Sequence, residues 1–297
     1  MPTPFTKAQG AGNDFVIFDL TAERAAGDFA AIAPALCDRH FGIGADGILL
    51  VLPSQVADFR MRVINSDGSE PEMCGNGLRC FVRYLHDRGL VPAAGIWVET
   101  LAGRLFAEVI PPGEPAGSGL EASARPEFRV RIDMGRPEHS PSEELALSHP
   151  RGPLRVTAVS MGNPHCVTFV DDLDGLPFFE LGPLVEAHPR FPRGVNAEFA
   201  QVVDRNRIRV KVWERGAGPT LACGTGACAV AVAAASQGLT ERRVTVELPG
   251  GALDIDWRED GGVSLTGPAE CVFTGEVDLS RFGLGRVERS TRPMTGA

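Results

Sequence analysis

Polar and apolar residues alternate in short runs along this chain. Phe59-Arg60-Met61-Arg62-Val63-Ile64, Phe128-Arg129-Val130-Arg131-Ile132 and Ile208-Arg209-Val210-Lys211-Val212-Trp213 place roughly every second side chain on one face, the period of a half-buried strand. Helical spacing is rarer. Leu78, Phe81, Val82 and Leu85 follow i, i+3, i+4, i+7 and predict a helix ending near Gly89. A second helix, predicted over 224–237, is small and apolar on nearly every face. A helix without a polar face must be buried on all sides, which predicts strands wrapped about it.

Both helices follow a cysteine-headed turn, Cys74-Gly75-Asn76-Gly77 in one case and Cys223-Gly224-Thr225-Gly226 in the other, 149 residues apart. Other pieces recur in order at nearly that offset. Gly12-Asn13-Asp14-Phe15-Val16 returns as Gly162-Asn163-Pro164-His165-Cys166-Val167, and Gly44-Ala45-Asp46 as Gly194-Val195-Asn196. Asn65 precedes Cys74 by nine residues, as Glu214 precedes Cys223. The chain therefore reads as two homologous halves. The proline-, glycine- and serine-rich stretch 109–128 fits a flexible connection between them.

Composition narrows the function. With 297 residues and 43% hydrophobic content, the chain has material for two cores. A net charge of -9, with no local run of lysine or arginine, disfavours nucleic acid and anionic membranes as partners. The longest apolar run, Ala227 to Ala235, is too short to cross a bilayer, and the N-terminus lacks the apolar core of an export signal. These features, and seven cysteines, an odd number, predict a cytoplasmic protein with reduced thiols. Lys7 and Lys211 are the only lysines, both in strand-like runs, which argues against Schiff-base chemistry on pyridoxal phosphate.

A cysteine at a helix start sits beside unpaired N–H groups and the positive end of the helix dipole, which predicts a lowered thiol pKa. The same N–H groups suit a substrate carboxylate. Two such turns facing one another would flank a small molecule with a thiol on each side. That suits inversion of a carbon bearing hydrogen, one thiol removing a proton and the other supplying one. Cys37, Cys80, Cys166, Cys228 and Cys271, in apolar runs away from glycine turns, read as core residues. No CxxC or HxxxH supports zinc, and no GxxxxGK[ST] supports a phosphate loop. Asparagines beside glycine also form turns, and His165 alone also suits a structural role.

Several motifs together resemble the diaminopimelate epimerase family. They are Gly10-Ala11-Gly12-Asn13-Asp14-Phe15, Asn65-Ser66-Asp67-Gly68-Ser69, Met73-Cys74-Gly75-Asn76-Gly77, Met161-Gly162-Asn163-Pro164-His165, Trp213-Glu214-Arg215-Gly216 and Ala222-Cys223-Gly224-Thr225-Gly226. Any one alone would also suit the related proline racemases. The resemblance spans about residues 5 to 280. It implies an α+β fold of two similar domains, each a curled mixed sheet around a central helix, divided as 1–126 plus 273–297 and 127–272, with the site in the cleft between. It implies a homodimer that epimerises LL-2,6-diaminopimelate to the meso form without a cofactor or metal, on the route to lysine and peptidoglycan precursor. Cys74 and Cys223 resemble the acid and base, and Asn13, Asn65, Asn163, Asn196 and Arg215 the groups holding the distal amino acid end. Gly75, Asn76, Gly224 and Thr225 resemble the helix starts that receive the reacting carboxylate. His165 and Glu214 resemble the neighbours that tune the thiols, Glu214 also binding substrate. Many members of that family carry glutamine where Gly47 stands here.

Overall fold

The computed structural model describes residues 2–21, 23–24, 27–92, 95–111, 128–284 and 288–289, so most of the stretch 109–128 and the end of the tail lie outside the described residues. The chain forms two compact units, Met1–Glu108 with Ala269–Ala297, and Val109–Pro268. The expected domain limit at 126/127 falls outside the described residues.

In the first unit the elements run β1 (Thr3–Gly10), β2 (Asn13–Asp19), β3 (Glu23–Arg24), α1 (Phe29–Leu36), β4 (Gly47–Leu52), β5 (Phe59–Asn65), α2 (Gly75–His86), β6 (Ile96–Thr100) and β7 (Gly103–Ile110). Ala11 (φ 54°) and Gly12 (φ 81°) close the two-residue turn from β1 to β2, a left-handed pair that the twist of antiparallel strands favours. Pairing is then antiparallel β1–β2, parallel β2–β4, antiparallel β4–β5, parallel β5–β6 and antiparallel β6–β7.

The second unit runs β8 (Arg129–Asp133), β9 (Glu138–His139), β10 (Glu143–Leu145), β11 (Leu154–Ser160), β12 (Pro164–Phe169), α3 (Phe178–Glu186), β13 (Asn196–Asp204), β14 (Arg207–Glu214), β15 (Gly218–Thr220), α4 (Gly224–Ser236), β16 (Arg243–Leu248), β17 (Gly251–Trp257) and β18 (Val263–Pro268). Its pairings repeat the alternation: β11–β12 antiparallel, β12–β13 parallel, β13–β14 antiparallel, β14–β16 parallel, β16–β17 antiparallel. The chain then returns to the first unit with β19 (Glu270–Val277), antiparallel to β1. The expected limit between 272 and 273 would cut this strand.

The parallel steps β2–β4 and β12–β13 each need a crossover, and α1 and α3 supply it. The alternation of polar and apolar residues does not reveal these two helices. Each carries an internal proline, Pro34 and Pro183, again 149 residues apart, which blurs the helical signal. In the first unit Phe5, Phe18, Phe29, Ile32, Leu36, Ile48 and Ile64 form one core; in the second, Leu154, Val156, Phe178, Leu181, Val185 and Phe199 form another.

α2 and α4 are the central helices. α4 packs within its unit against β11, β12, β13, β14, β16, β17 and β18, and its Ala, Val, Gly and Cys side chains are small enough for that approach. α2 packs against β1, β2, β4, β5 and β19. Four apolar positions mark one face of α2, yet it is buried nearly all round, and Arg79 is fully enclosed with it. Among the described residues no helix is long and apolar enough to cross a membrane.

Candidate active-site residues in the two units

In each unit the cysteine is the N-cap of the central helix. Cys74 (φ −137°, ψ 112°) and Cys223 (φ −124°, ψ 109°) have extended backbones, and each sulfur accepts the N–H three residues on, from Gly77 and Gly226, at 3.4 Å. A sulfur thus occupies the place usually taken by a serine or aspartate oxygen. The second glycine of each turn is needed for space. A Cβ on Gly226 would lie 2.8 Å from Glu198 Oε1 and 3.2 Å from Cys223 Sγ; one on Gly77 would lie 3.1 Å from Leu49.

Around Cys74 a chain of amides has fixed orientations. Buried Arg79 donates from Nη2 to Asn76 Oδ1 at 2.9 Å, so the Asn76 amide nitrogen points the other way and donates to Asn13 Oδ1 at 3.2 Å. Asn13 in turn donates to Asp46 at 2.7 Å, and its oxygen accepts the Cys74 thiol at 3.9 Å. Asp46 and Asp14 are both gripped by Arg39, and Lys7 pairs with Asp14 at 2.6 Å and also donates to the Gly44 carbonyl. Burial works against ionisation of Asp14, but hydrogen bonds from Arg39 and Lys7 prevail and hold its carboxyl at about 2. Asn65 closes β5, where its amide donates to Ser69 Oγ at 2.9 Å, the turn-forming role. Its register partner across β4–β5 is Gly47, where a Cβ would lie 2.6 Å from the Ile64 carbonyl oxygen. This backbone therefore has no room for a side chain at position 47 without a shift of the neighbouring strand.

Around Cys223 the groups are acidic. Its sulfur lies 3.6 Å from Thr225 Oγ1 and hydrogen-bonds the Glu214 carboxyl, which also accepts Thr220 Oγ1 at 2.6 Å. Asn163 donates to Thr225 Oγ1 at 3.2 Å and faces His165 Nε2 at 3.1 Å; His165 Nδ1 lies 2.7 Å from Glu198. Asn196 accepts the Arg215 backbone N–H at 2.8 Å, and the Arg215 guanidinium donates to the Arg193 carbonyl. Arg215 packs its stem over Gly194 (φ 73°), where a Cβ would come within 3.0 Å. Glu186 ties down the same turn, accepting from Trp213 Nε1 and the Gly216 N–H.

The expected lowering of the thiol pKa fails at Cys223. Burial pushes it well above the usual value, and the charges of Glu214 and Glu198 push it further, outweighing the hydrogen bonds from Thr225 and Gly226. A helix dipole contributes only about 0.3–1 kcal/mol at typical sites, too little to offset enclosure beside two carboxylates. Burial likewise raises the Glu214 carboxyl. Of the cysteines read as core residues, Cys37, Cys80, Cys166 and Cys228 are buried, whereas Cys271 on β19 is only half-buried. Among the described residues no group of three or more His, Cys, Asp or Glu could hold a metal ion.

Two features of these sites are not apparent from the motifs. Asp46 and Arg39, which orient Asn13, lie in a loop whose glycines are its conspicuous residues. Glu198 is a lone charge within the apolar run Asn196-Ala197-Glu198-Phe199-Ala200, and that incongruity is the available signal.

A family model for diaminopimelate epimerase matches residues 5–138 and 157–272. The diaminopimelate epimerase of Pelotomaculum thermopropionicum is 51% identical, covering 92% of this chain and 98% of its own length. The chain belongs to the diaminopimelate epimerase family. That of Synechocystis sp. is 45% identical over 94% of this chain and the whole of its own length. The α+β architecture extends beyond the epimerases. A phenazine biosynthesis protein of the PhzF family from Bacillus anthracis superposes with a TM-score of 0.70 at 18% identity, covering 93% of this chain and 99% of that one. A probable proline racemase from Agrobacterium radiobacter does so with 0.68 at 16%, covering 93% of each. At such identities the likeness is one of fold.

Proposed function

We propose that this chain interconverts LL- and meso-2,6-diaminopimelate without a cofactor, Cys74 and Cys223 acting as the paired acid and base. The observation that carries the reading is the duplicated cap, a thiol sulfur at the start of a buried helix in each unit, ringed by amide, hydroxyl and carboxyl side chains. Inversion at the α-carbon needs one group to take a proton and a second to return one to the opposite face. The two thiols, exchanging protonation states, serve both directions, and they titrate as a coupled pair.

The raised pKa of Cys223 then becomes part of the chemistry. Glu214 is a carboxylate suited to the substrate's α-ammonium group. Once it is paired with that cation, its push on the thiol is cancelled and Cys223 ionises more readily. The helix starts at Gly75–Asn76 and Gly224–Thr225 offer N–H groups to the reacting carboxylate. Asn13, Asn65, Asn163, Asn196 and Arg215 hold the distal amino acid end, Arg215 by a two-point grip. The same reading makes the protein a cytoplasmic homodimer acting on a small molecule, on the route to lysine and peptidoglycan precursor.

The test is turnover of LL-diaminopimelate in deuterium oxide. Early product should carry solvent deuterium while recovered substrate carries little, and Cys74→Ala and Cys223→Ala should each lower kcat/KM by about 10³-fold or more. Equal labelling of substrate and product pools would count against two separate thiols.

A further inference from the structure

Beneath the Cys223 turn lies a second buried carboxylate that the proposed chemistry does not use. Glu198 on β13 is fully enclosed, and so is its partner His165 on β12. The hydrogen-bond directions in this group are constrained from the far end. Asn163 Nδ2 donates to Thr225 Oγ1, so Asn163 presents its oxygen to His165 Nε2. An amide oxygen only accepts, so Nε2 carries a hydrogen. Nδ1 and Glu198 Oε1, 2.7 Å apart, share another. Thr225 Oγ1 accepts from Asn163 and lies 3.6 Å from the Cys223 sulfur; with the thiol hydrogen directed to Glu214, or lost, the sulfur is left to accept and the Thr225 hydroxyl to donate.

We infer that Glu198 is a positioning residue: through His165 and Asn163 it holds the Thr225 hydroxyl as a donor aimed at the Cys223 sulfur. That donor stabilises the sulfur at the moment it gives up its proton, and the inference rests on the epimerase reading above.

Packing alone does not explain Glu198. Apart from the backbone N–H of Cys166 that faces the carboxyl, its Oε2 has no hydrogen-bond partner among the described residues, and a buried carboxylate left incompletely satisfied is less stable than an apolar side chain of the same shape. Gly226 leaves the space that its Oε1 occupies. The ionisable groups facing it are His165 and Cys166 from β12, Glu214 from β14 and Cys223 from α4, so His165 is the one basic group among them. Burial pushes the Glu198 carboxyl upward while His165 opposes it, as expected of two groups that share a hydrogen.

Glu198→Gln keeps the shape and removes the shared hydrogen. It should lower kcat by roughly ten- to a hundredfold with KM changed by no more than about threefold. His165→Gln should cost a similar factor, and the double variant no more than His165→Gln alone, because both act through one chain. The 2.7 Å contact should also give a far-downfield proton resonance, assignable among six histidines by ¹⁵N-histidine labelling and lost in either single variant. Unchanged kcat in Glu198→Gln, additive losses in the double variant, or a downfield resonance that survives the substitution would each overturn the inference. If the parent protein leaves LL-diaminopimelate unchanged, the epimerase reading falls, and the resonance and its loss still decide the His165–Glu198 pairing.

Discussion

At Cys223 a local influence and a non-local one oppose each other. The sulfur accepts the N–H of Gly226 at the positive end of α4, as a thiolate would prefer. Enclosure and the charges of Glu214 and Glu198 nevertheless keep the proton on it. Removing one charge should show this directly. In Glu214→Gln the thiol pKa falls, so at pH 8.5 without substrate Cys223 should be alkylated by iodoacetamide faster than in the parent, as followed by peptide mass spectrometry. Turnover should fall in the same variant, since the partner for the ammonium group is gone. Equal or slower alkylation would mean that Glu214 does not hold the proton on the sulfur.

The two caps that look alike in sequence differ as elements. Gly77 has a leucine methyl at 3.1 Å from the place of a Cβ, and a methyl group can turn aside. Gly226 has the Glu198 carboxylate at 2.8 Å, and that carboxylate is fully buried and tied to His165. Alanine is favoured over glycine inside a helix by about 1 kcal/mol, so Gly77→Ala should be close to neutral in a urea melt. Gly226→Ala should be destabilising by about 1–3 kcal/mol from overpacking and should lower kcat as well. Similar effects of the two substitutions would show that Glu198 yields its position easily. The element scale also accounts for the helices that the hydrophobic pattern does not reveal. α1 and α3 are short, carry a proline each, and exist because the parallel pairs they connect require a crossover.

For the whole molecule the acidic composition sets the expected response to pH. The net charge of -9 relaxes as carboxylates protonate, yet the ion pairs that hold the Asn13 loop depend on Asp14 staying charged. Its carboxyl is held at about 2, below the ordinary value near 4. A group whose pKa is depressed in the folded state contributes stability above its unfolded pKa and loses it as pH falls through the folded one. The urea midpoint should therefore drop between about pH 4 and pH 2, and Asp14→Asn should flatten that part of the curve while lowering stability at pH 7. An unchanged slope in Asp14→Asn would remove this cluster from the acid response.

Much of this protein is legible without coordinates, because the signals are local. Alternation marks β5 and β14, the cysteine–glycine turns mark the starts of α2 and α4, and the offset of 149 residues announces a duplicated plan, which the repeated order of parallel and antiparallel pairs bears out. A cap, a helix face and a strand period are each written within a few residues. The amide chain from Arg79 to Asn13 and the carboxylate under Cys223 are not, since they join residues far apart in sequence. The direction of the Cys223 shift is hidden from the sequence for the same reason. A helix start is a local feature that favours thiolate, whereas desolvation and the nearness of Glu198 and Glu214 exist only once the strands close around α4, and in a low-dielectric interior those influences outweigh the dipole.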